Sequence, residues 1–242
     1  MKKIIIMGAS SGIGYEVAKN FIADGWKVGV AARREEPLKA LKEKYPEQVD
    51  YELIDVVSED APNKLLSLID RIGGLDVYFH CSGYGKQNTG IDVELEIDIV
   101  KTNVLGFTQL VDTVFNYFKQ KNQRGHIVVV SSIAGTKGLG VSPSYSATKR
   151  YNYIYLDSLD QLARMQGLKI DFTDIRPGFV TTAFIEGQKY PMQMDVEYAG
   201  KKIFYAVKRK KRVAIIDWKY SLLVGFWRLI PRWLWVRLPI HS

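Results

Sequence analysis

The sequence predicts an α/β protein built on a doubly wound parallel sheet of about seven strands, with helices on both faces. Two observations lead to this prediction. Short apolar runs rich in Val and Ile alternate with amphipathic stretches up to about residue 216, and a glycine-rich turn follows the first apolar run. Such alternation implies right-handed crossovers, with a ligand crevice at the carboxyl ends of the strands.

The individual elements are predicted from the period of the apolar residues. Uninterrupted apolar runs are typical of strands that are buried on both faces. The predicted strands are residues 3–7, 27–31, 51–54, 76–80, 126–131, 170–175 and 213–216. The predicted helices are residues 14–24, 37–44, 61–72, 98–121, 146–166 and 196–211. The chain shows no repeat or linker, so we expect one domain over residues 1–216 and a C-terminal appendage over residues 217–242.

Composition places the chain among ordinary globular proteins. Its 242 residues are 47% hydrophobic and 25% charged, which is enough to bury a substantial core. The single cysteine, Cys81, excludes an internal disulfide framework and favours a reducing compartment, so a cytoplasmic protein is expected. The apolar run near the start is too short for a signal peptide and is better explained as the first strand.

Positive charge is concentrated near the C-terminus. The net charge is +8, yet from residue 201 onward eleven lysines and arginines accompany one acid, and the preceding residues are nearly neutral. Four of the five tryptophans lie in the same segment. Tryptophans among cations favour a membrane interface rather than nucleic acid, which we do not expect as a partner.

The glycine-rich turn predicts a dinucleotide site. It joins the first strand to the first helix, where exposed N–H groups and the helix dipole favour an anion. Glycines permit the tight turn and let a pyrophosphate approach the helix closely. The cofactor-binding residues expected here are Gly8, Ser10, Ser11, Gly12, Ile13 and Gly14.

The same turn also matches the G-x-S-x-G nucleophile elbow of serine hydrolases, with Ser10 at its centre. That alternative needs a catalytic histidine. His80 and His126 lie inside predicted strands, and His241 is the penultimate residue. A hydrolase therefore ranks well below the dinucleotide interpretation.

Tyr145 and Lys149 predict acid–base chemistry. Side chains at i and i+4 share one face of a helix, so the Lys149 ammonium is expected beside the Tyr145 phenol. A nearby cation favours phenolate and is expected to lower the tyrosine pKa from about 10 toward working pH. Such a tyrosine can serve as general acid or base for a carbonyl or an alcohol.

With these motifs placed, the chain resembles the short-chain dehydrogenase/reductase family over about residues 2–216. The family pattern has a T-G-x-x-x-G-x-G turn, N-N-A-G, a helical Asn, a Ser, Y-x-x-x-K and P-G-x-x-x-T. Ser132 lies thirteen residues before Tyr145, as in the family. Two departures are Met7 in place of Thr and His80-Cys81-Ser82 in place of Asn-Asn-Ala.

The resemblance implies a Rossmann fold and four catalytic residues. Tyr145 would protonate the carbonyl oxygen, Lys149 would bind the nicotinamide ribose, and Ser132 would hold the substrate oxygen. Asn103 would order a helix irregularity and a water that relays protons to Lys149. Val180 and Thr182 would bind the carboxamide. The remaining cofactor contacts implied by the same motifs are Ser82, Gly83, Asn103, Tyr145, Lys149, Pro177 and Gly178.

The end of the second strand favours NADP(H) over NAD(H). An acid at this place binds the ribose 2′-hydroxyl, whereas an arginine accepts a 2′-phosphate. The strand ends at Arg33 and Arg34, and Arg33 is expected to pair with the phosphate. After the third strand, Asp55 and Val56 are expected at the adenine. No metal ligand set is expected.

The family's substrate lid would span residues 183–194, which contain Phe184, Ile185, Tyr190, Met192 and Met194. These side chains predict an apolar pocket cover and therefore a hydrophobic carbonyl substrate.

The appendage leaves two interpretations open. Apolar residues recur in it at helical spacing, and its longest uncharged run, residues 220–227, is too short to cross a bilayer. It either lies on an anionic membrane, together with the basic cluster at residues 208–212, or packs on the lid or a subunit interface.

The sequence thus predicts an NADPH-dependent reductase of a hydrophobic ketone or aldehyde, which a lipid could carry. The expected assembly is a homodimer or homotetramer paired through the fourth and fifth helices, at the inner face of the membrane if the appendage binds lipid. The alternatives are a catalytically silent NADP(H)-binding regulator and, third, the serine hydrolase.

Overall fold

A computed structural model describes residues 1–182 and 192–240. Its sheet has the strand order β3-β2-β1-β4-β5-β6-β7, and every neighbouring pair is parallel. The strands are β1 Lys3–Met7, β2 Lys27–Ala32, β3 Val49–Leu53, β4 Val77–His80, β5 Gly125–Val130, β6 Ile170–Arg176 and β7 Val213–Ile215. The doubly wound parallel sheet is confirmed, and each predicted strand end lies within two residues of the observed one.

Helices cover both faces of this sheet. They are α1 Gly12–Ala23, α2 Glu35–Lys44, α3 Ala61–Arg71, α4 Val93–Val100, α5 Phe107–Lys121, α6 Pro143–Met165, α7 Val196–Lys208, α8 Trp218–Leu229 and α9 Arg232–Trp235. A π-helical turn, Lys101–Gly106, joins α4 to α5. The fold therefore has the alternating layers that the sequence predicts.

Three helix bounds differ from the sequence prediction by three residues or more. The helix expected from residue 146 begins at Pro143, since proline is favoured in the first helical turn. The helix expected from residue 98 begins at Val93, because the Asp92 carboxylate accepts the N–H groups of Glu94 (3.0 Å) and Leu95 (3.4 Å). The helix expected to reach residue 211 ends at Lys208, since Lys210 has a positive φ of 50° that an α-helix cannot continue through.

The sheet separates two apolar layers. Alternate side chains of β1 point to opposite faces, so Ile4 and Ile6 pack in the layer of α1 and α7. Ile5 and Met7 pack in the layer of α3 and α5. Because β1 is buried on both faces, it fixes the glycine turn that follows it at the carboxyl edge of the sheet.

The C-terminal appendage packs on the body of the protein through one face. Tyr220 and Val224 of α8 are each only 1% exposed. Trp235 of α9 is buried, and its Nε1 donates a hydrogen bond to the Gly138 carbonyl (2.7 Å). Over the described residues, none of the helices combines the length and apolar character needed to cross a bilayer.

Three of the five cations in the basic cluster at residues 208–212 form ion pairs with the body of the protein. Lys208 pairs with Asp24 (2.5 Å), and Lys210 pairs with Asp171 (2.5 Å). Arg212 also bridges to two aspartates of α6, Asp157 and Asp160. These cations are therefore used in joining the end of α7 and the start of β7 to the body.

Candidate active site

The glycine turn forms a cradle without side chains at the carboxyl edge of the sheet. Gly8 and Gly12 have positive φ angles, and a Cβ atom on Gly14 would lie 2.2 Å from the Gly8 carbonyl oxygen. A Cβ on Gly8 would lie 2.8 Å from the Ser82 nitrogen, and one on Gly12 would lie 3.1 Å from Thr182 Cγ2. The turn thus meets the loops after β4 and β6, as a dinucleotide site requires.

Arg34, rather than Arg33, joins the end of β2 to this cradle. Both arginines are exposed, but it is the Arg34 Nη2 that donates to the hydroxyls of Ser11 (2.7 Å) and Ser10 (3.2 Å). Glu35, the nearest acid, accepts a hydrogen bond from Tyr51 (2.9 Å). A guanidinium and two hydroxyls beside a helix N-terminus fit a phosphate of the cofactor.

The other predicted cofactor residues border the same crevice. A Cβ on Gly83 would lie 3.1 Å from Lys149 Nζ. Asp55 follows β3 and accepts a hydrogen bond from the Val57 N–H (3.2 Å). The remaining predicted residues at the crevice are Ile13 on α1, buried Val56 after β3, and Pro177, Gly178 and buried Val180 after β6.

The structure brings Ser132, Tyr145 and Lys149 together. Ser132 follows β5, and a hydrogen bond joins it to the Tyr145 hydroxyl. Lys149, one turn further along α6, is 5% exposed, and its Nζ lies 5.7 Å from the centroid of the Tyr145 ring. The Lys149 Nζ donates to the Val130 carbonyl (3.0 Å), which ties α6 to the end of β5.

The expected lowering of the Tyr145 pKa is wrong for the protein without cofactor. Burial raises the pKa of Tyr145 to about 12, and the hydrogen bond with Ser132 offsets this only in part. Burial also lowers the pKa of Lys149 to about 8. Desolvation therefore dominates both groups, because each loses more hydration than its neighbour's charge restores. At neutral pH the tyrosine is a phenol that can give up a proton.

Asn103 lies within the π-helical turn, which confirms the helix irregularity predicted for this position. Its side chain accepts the Tyr84 N–H (2.7 Å) and donates to the Tyr84 carbonyl (2.7 Å) and to Thr148 Oγ1 (3.0 Å). Its main-chain carbonyl accepts a hydrogen bond from Asn152 Nδ2 (3.1 Å). Asn103 thus joins the loop after β4 to helix α6. The relay water stays a prediction.

Gly85 touches Tyr145 although no pattern in the sequence marks it. Gly85 is buried against the Tyr145 ring, and a Cβ placed on it would lie 2.3 Å from Tyr145 Cδ2. The contact joins residues sixty positions apart. No local pattern marks it, so only the folded arrangement identifies Gly85 as part of the site.

Tyr153 is a second residue that the sequence analysis did not place at the site. Its hydroxyl donates to the main-chain carbonyl of Ser132, and the Arg176 guanidinium lies 3.7 Å from its ring centroid. Arg176 forms a buried ion pair with Asp174 (2.6 Å). This network fixes the loop that presents the Ser132 hydroxyl to Tyr145.

The appendage also reaches the site, through Tyr220 of α8. A Cβ on Gly178 would lie 2.2 Å from the Tyr220 ring. The Tyr220 hydroxyl accepts the Phe179 N–H (3.1 Å) and donates to the Met192 carbonyl (3.1 Å). Tyr220 therefore holds both the cofactor loop after β6 and the chain at the far end of the predicted lid.

Most of the predicted lid, including Phe184, Ile185 and Tyr190, lies outside the described residues. At its end, Met194 is buried and forms a parallel bridge with Val180. Met192 is 42% exposed.

The histidines give no support to the hydrolase alternative. His80 is hydrogen-bonded to the Tyr78 hydroxyl (2.9 Å), and His126 is bonded to Thr173 (2.8 Å). Both are buried in the sheet, whereas the Ser10 hydroxyl is hydrogen-bonded to Arg34. His241 lies outside the described residues. Residues 1–182 and 192–240 hold no cluster of three or more His, Cys, Asp or Glu side chains suited to a metal ion.

Several known proteins resemble this chain over most of its length. The family model for short chain dehydrogenases matches residues 2–192. The chain is 32% identical over 194 residues to dehydrogenase/reductase SDR family member 7B of Xenopus tropicalis, covering 74% of this chain and 61% of that protein. It is 30% identical over 243 residues to an uncharacterized oxidoreductase of Mycobacterium tuberculosis, covering 96% of this chain and 95% of that one.

Two solved structures share the fold. ElxO with NADP bound has a TM-score of 0.79 at 21% identity, covering 91% of this chain and 99% of that one. A short-chain dehydrogenase from Streptomyces avermitilis has a TM-score of 0.80 at 20% identity, covering 93% of this chain and 92% of that one. The Rossmann-type sheet is thus common to all three proteins.

Proposed function

We propose that this chain reduces a hydrophobic ketone or aldehyde with NADPH. The chain belongs to the short chain dehydrogenase family and is an NAD(P)-dependent oxidoreductase. The observation that carries the proposal is the meeting of Ser132, Tyr145 and Lys149 beside the glycine cradle. A proton donor and a hydride donor are the two parts that carbonyl reduction needs.

The residues of the chain account for the proton half of the reaction. Bound NADPH supplies the hydride. The Ser132 hydroxyl and the Tyr145 phenol lie within hydrogen-bond distance of each other and would together hold the carbonyl oxygen of the substrate. Tyr145 then gives its proton to that oxygen, and the Lys149 ammonium stabilises the phenolate that remains. The raised pKa of Tyr145 keeps it in the donor form before the reaction.

The choice of NADPH rests on Arg34 and the hydroxyls of Ser10 and Ser11. We propose that these groups, with Arg33 at their edge, bind the 2′-phosphate of the adenosine ribose. ElxO, which shares the fold, likewise has NADP bound in its solved structure.

The variant Arg34→Ala is therefore expected to lose selectivity for NADPH. Removal of one charge-assisted, bidentate contact costs roughly 1.5–3 kcal/mol, or about ten- to a hundredfold in KM for NADPH, while KM for NADH stays nearly unchanged. Steady-state kinetics with both cofactors measure the ratio. Arg33→Ala is the matched control and is expected to have the smaller effect on KM for NADPH. An equal rise of KM in both variants would mean that Arg33 also binds the 2′-phosphate, as the sequence predicts.

The pH dependence of ketone reduction tests the proposed acid–base set. The Lys149 ammonium is present below its pKa of about 8 and is lost above it, whereas Tyr145 stays protonated up to a pKa of about 12. With saturating NADPH and a short ketone, we expect kcat/KM to fall about tenfold per pH unit above pH 8. A rate that rises through this range would contradict Tyr145 as the proton donor for reduction.

We propose further that the carbonyl is apolar and can be carried by a lipid, and that the enzyme works in the cytoplasm at the inner face of the membrane. Met194, buried at the site, and the apolar outer side chains of the appendage support this extension. The half-buried free thiol of Cys81 is in keeping with a reducing compartment.

We also propose a homodimer or homotetramer paired through residues 93–121 and α6. Large apolar side chains are exposed along the first of these segments and support the proposal. They are Val93 (67%), Ile97 (47%), Val100 (39%) and Leu105 (54%).

A further inference from the structure

An unpartnered apolar stripe follows the outer face of α8. Four large side chains recur at positions i, i+4, i+8 and i+11, which lie along one side of a helix. They are Trp218 (67% exposed), Leu222 (65%), Phe226 (72%) and Leu229 (80%). Tyr220 and Val224, on the opposite side, are buried in the body. The helix therefore has two apolar faces, and only the inner one is covered.

The short helix α9 extends the stripe. Trp233 is 62% exposed and Val236 is 69% exposed, whereas Trp235 between them packs edge-on against Trp227. Six large apolar side chains exposed on two consecutive short helices are more than scattered surface apolar residues account for. They call for a partner that accepts aromatic and aliphatic side chains together.

Positive charge surrounds this stripe. Lys219, Arg228 and Arg232 are exposed on the same two helices, and none of them takes part in a salt bridge among the described residues. Arg228 also borders a cavity of about 430 Å³ between α8 and α6 whose other cations are Lys137, Arg150 and Arg176, the last of which is buried and paired with Asp174. Asp157, the only acid on the cavity wall among the described residues, is paired with Arg212. The charge complements an anionic surface.

We infer that the outer face of α8, continued by α9, docks on an anionic lipid bilayer, with the apolar stripe in the interfacial layer and the flanking cations at the headgroups. Tryptophans with aliphatic side chains and surrounding cations are the combination that an interfacial helix presents to such a surface. An apolar protein partner would leave the surrounding cations without a counterpart, so charge complementarity favours the bilayer.

The docked orientation has a consequence for the active site. Tyr220 on the inner face of α8 bonds to Phe179, four residues before the predicted lid, and to Met192 near the end of that lid. Docking therefore brings Phe179 and Met192, which are bonded to the inner side of the docked helix, to within about one helix diameter of the bilayer, where an apolar ketone would partition. The docking deepens the proposed location at the membrane, and this consequence for the active site rests in addition on the proposed reductase function.

Sedimentation with vesicles tests the inference. The full-length protein is mixed with vesicles of phosphatidylcholine containing about one third phosphatidylglycerol, and with vesicles of phosphatidylcholine alone. The first variant, Phe226→Glu, places a charge in the stripe. The matched control, Met165→Glu, makes the same change of charge at the exposed end of α6 (77% exposed). Thermal unfolding and reduction of a short, water-soluble ketone are measured for each protein.

We expect wild type and Met165→Glu to sediment with the anionic vesicles, less so at high salt, and Phe226→Glu to bind at least about tenfold more weakly. All three proteins should unfold at similar temperatures. Failure of the wild type to sediment, or an equal loss in both variants, would overturn the inference. The inference would also be overturned if the wild type formed an oligomer but did not bind vesicles, and Phe226→Glu dissociated that oligomer. The apolar stripe would then be covered by a second copy of the chain. Turnover of the soluble ketone reports on the reductase separately.

Discussion

Tyr145→Phe is expected to lower kcat for ketone reduction by about a thousandfold, because the phenyl ring has no proton to give to the carbonyl oxygen. General acids contribute roughly 10²–10⁴-fold to a rate. The ring keeps its contact with Gly85, and the glycine cradle is unchanged, so the Kd for NADPH should stay within about twofold of the wild-type value. Stopped-flow or steady-state oxidation of NADPH gives kcat, and fluorescence titration gives the Kd.

The control for this experiment is Tyr151→Phe. Tyr151 lies on the same helix as Tyr145 but away from Ser132, and its hydroxyl is hydrogen-bonded to Thr108 of α5 (2.8 Å). This variant should retain most of the activity. Full activity in Tyr145→Phe would exclude this tyrosine as the proton donor. A large loss of NADPH binding would instead give the hydroxyl a role in holding the cofactor.

Gly85→Ala is expected to lower kcat by about a hundredfold without touching any group that reacts. The new methyl would overlap the Tyr145 ring at 2.3 Å, and the loop cannot yield freely because Asn103 holds neighbouring Tyr84 by two hydrogen bonds of 2.7 Å. The phenol must therefore move, and misplacing a reacting group by about 1 Å costs roughly 10²-fold. Steady-state kinetics at saturating NADPH measure the loss.

A double-mutant cycle separates displacement of Tyr145 from general damage to the fold. In the Tyr145→Phe background, Gly85→Ala should lower the residual rate by less than about twofold, because the hydroxyl that Gly85→Ala would displace is already absent. Gly90→Ala, in the same loop but with no atom within 4 Å of the new Cβ, is the matched control and should behave as wild type. Independent, multiplicative losses would contradict the proposed contact.

The fold was largely predictable because its signal is local. Each strand is one apolar run and each helix one amphipathic stretch, so the seven parallel strands could be assigned in order. The start of α4 was predicted at residue 98 and lies at Val93, although the sequence contains an N-cap signal for the correct position. Asp92 is a strong N-cap residue ahead of an apolar periodic stretch, and the prediction passed over it.

The site could be predicted only where its residues belong to spaced motifs. Tyr145 and Lys149 share one helix turn, which is visible in the sequence. Their pKa values were not predictable, because burial by distant elements outweighs the attraction between neighbours. Gly85 and Tyr220 reach the site from remote parts of the chain, so neither spacing nor composition reveals them.

The transfer of deuterium from NADPH carrying two deuterons at C4 of the nicotinamide tests the central claim most directly. Purified protein is incubated with the labelled cofactor and ketones graded from short to lipid length, and mass spectrometry follows the alcohols. Our account predicts alcohols with one deuterium on carbon, in yields that rise with chain length and vanish in Tyr145→Phe. Tight NADPH binding with no labelled alcohol from any ketone would contradict it and favour the catalytically silent, cofactor-binding regulator.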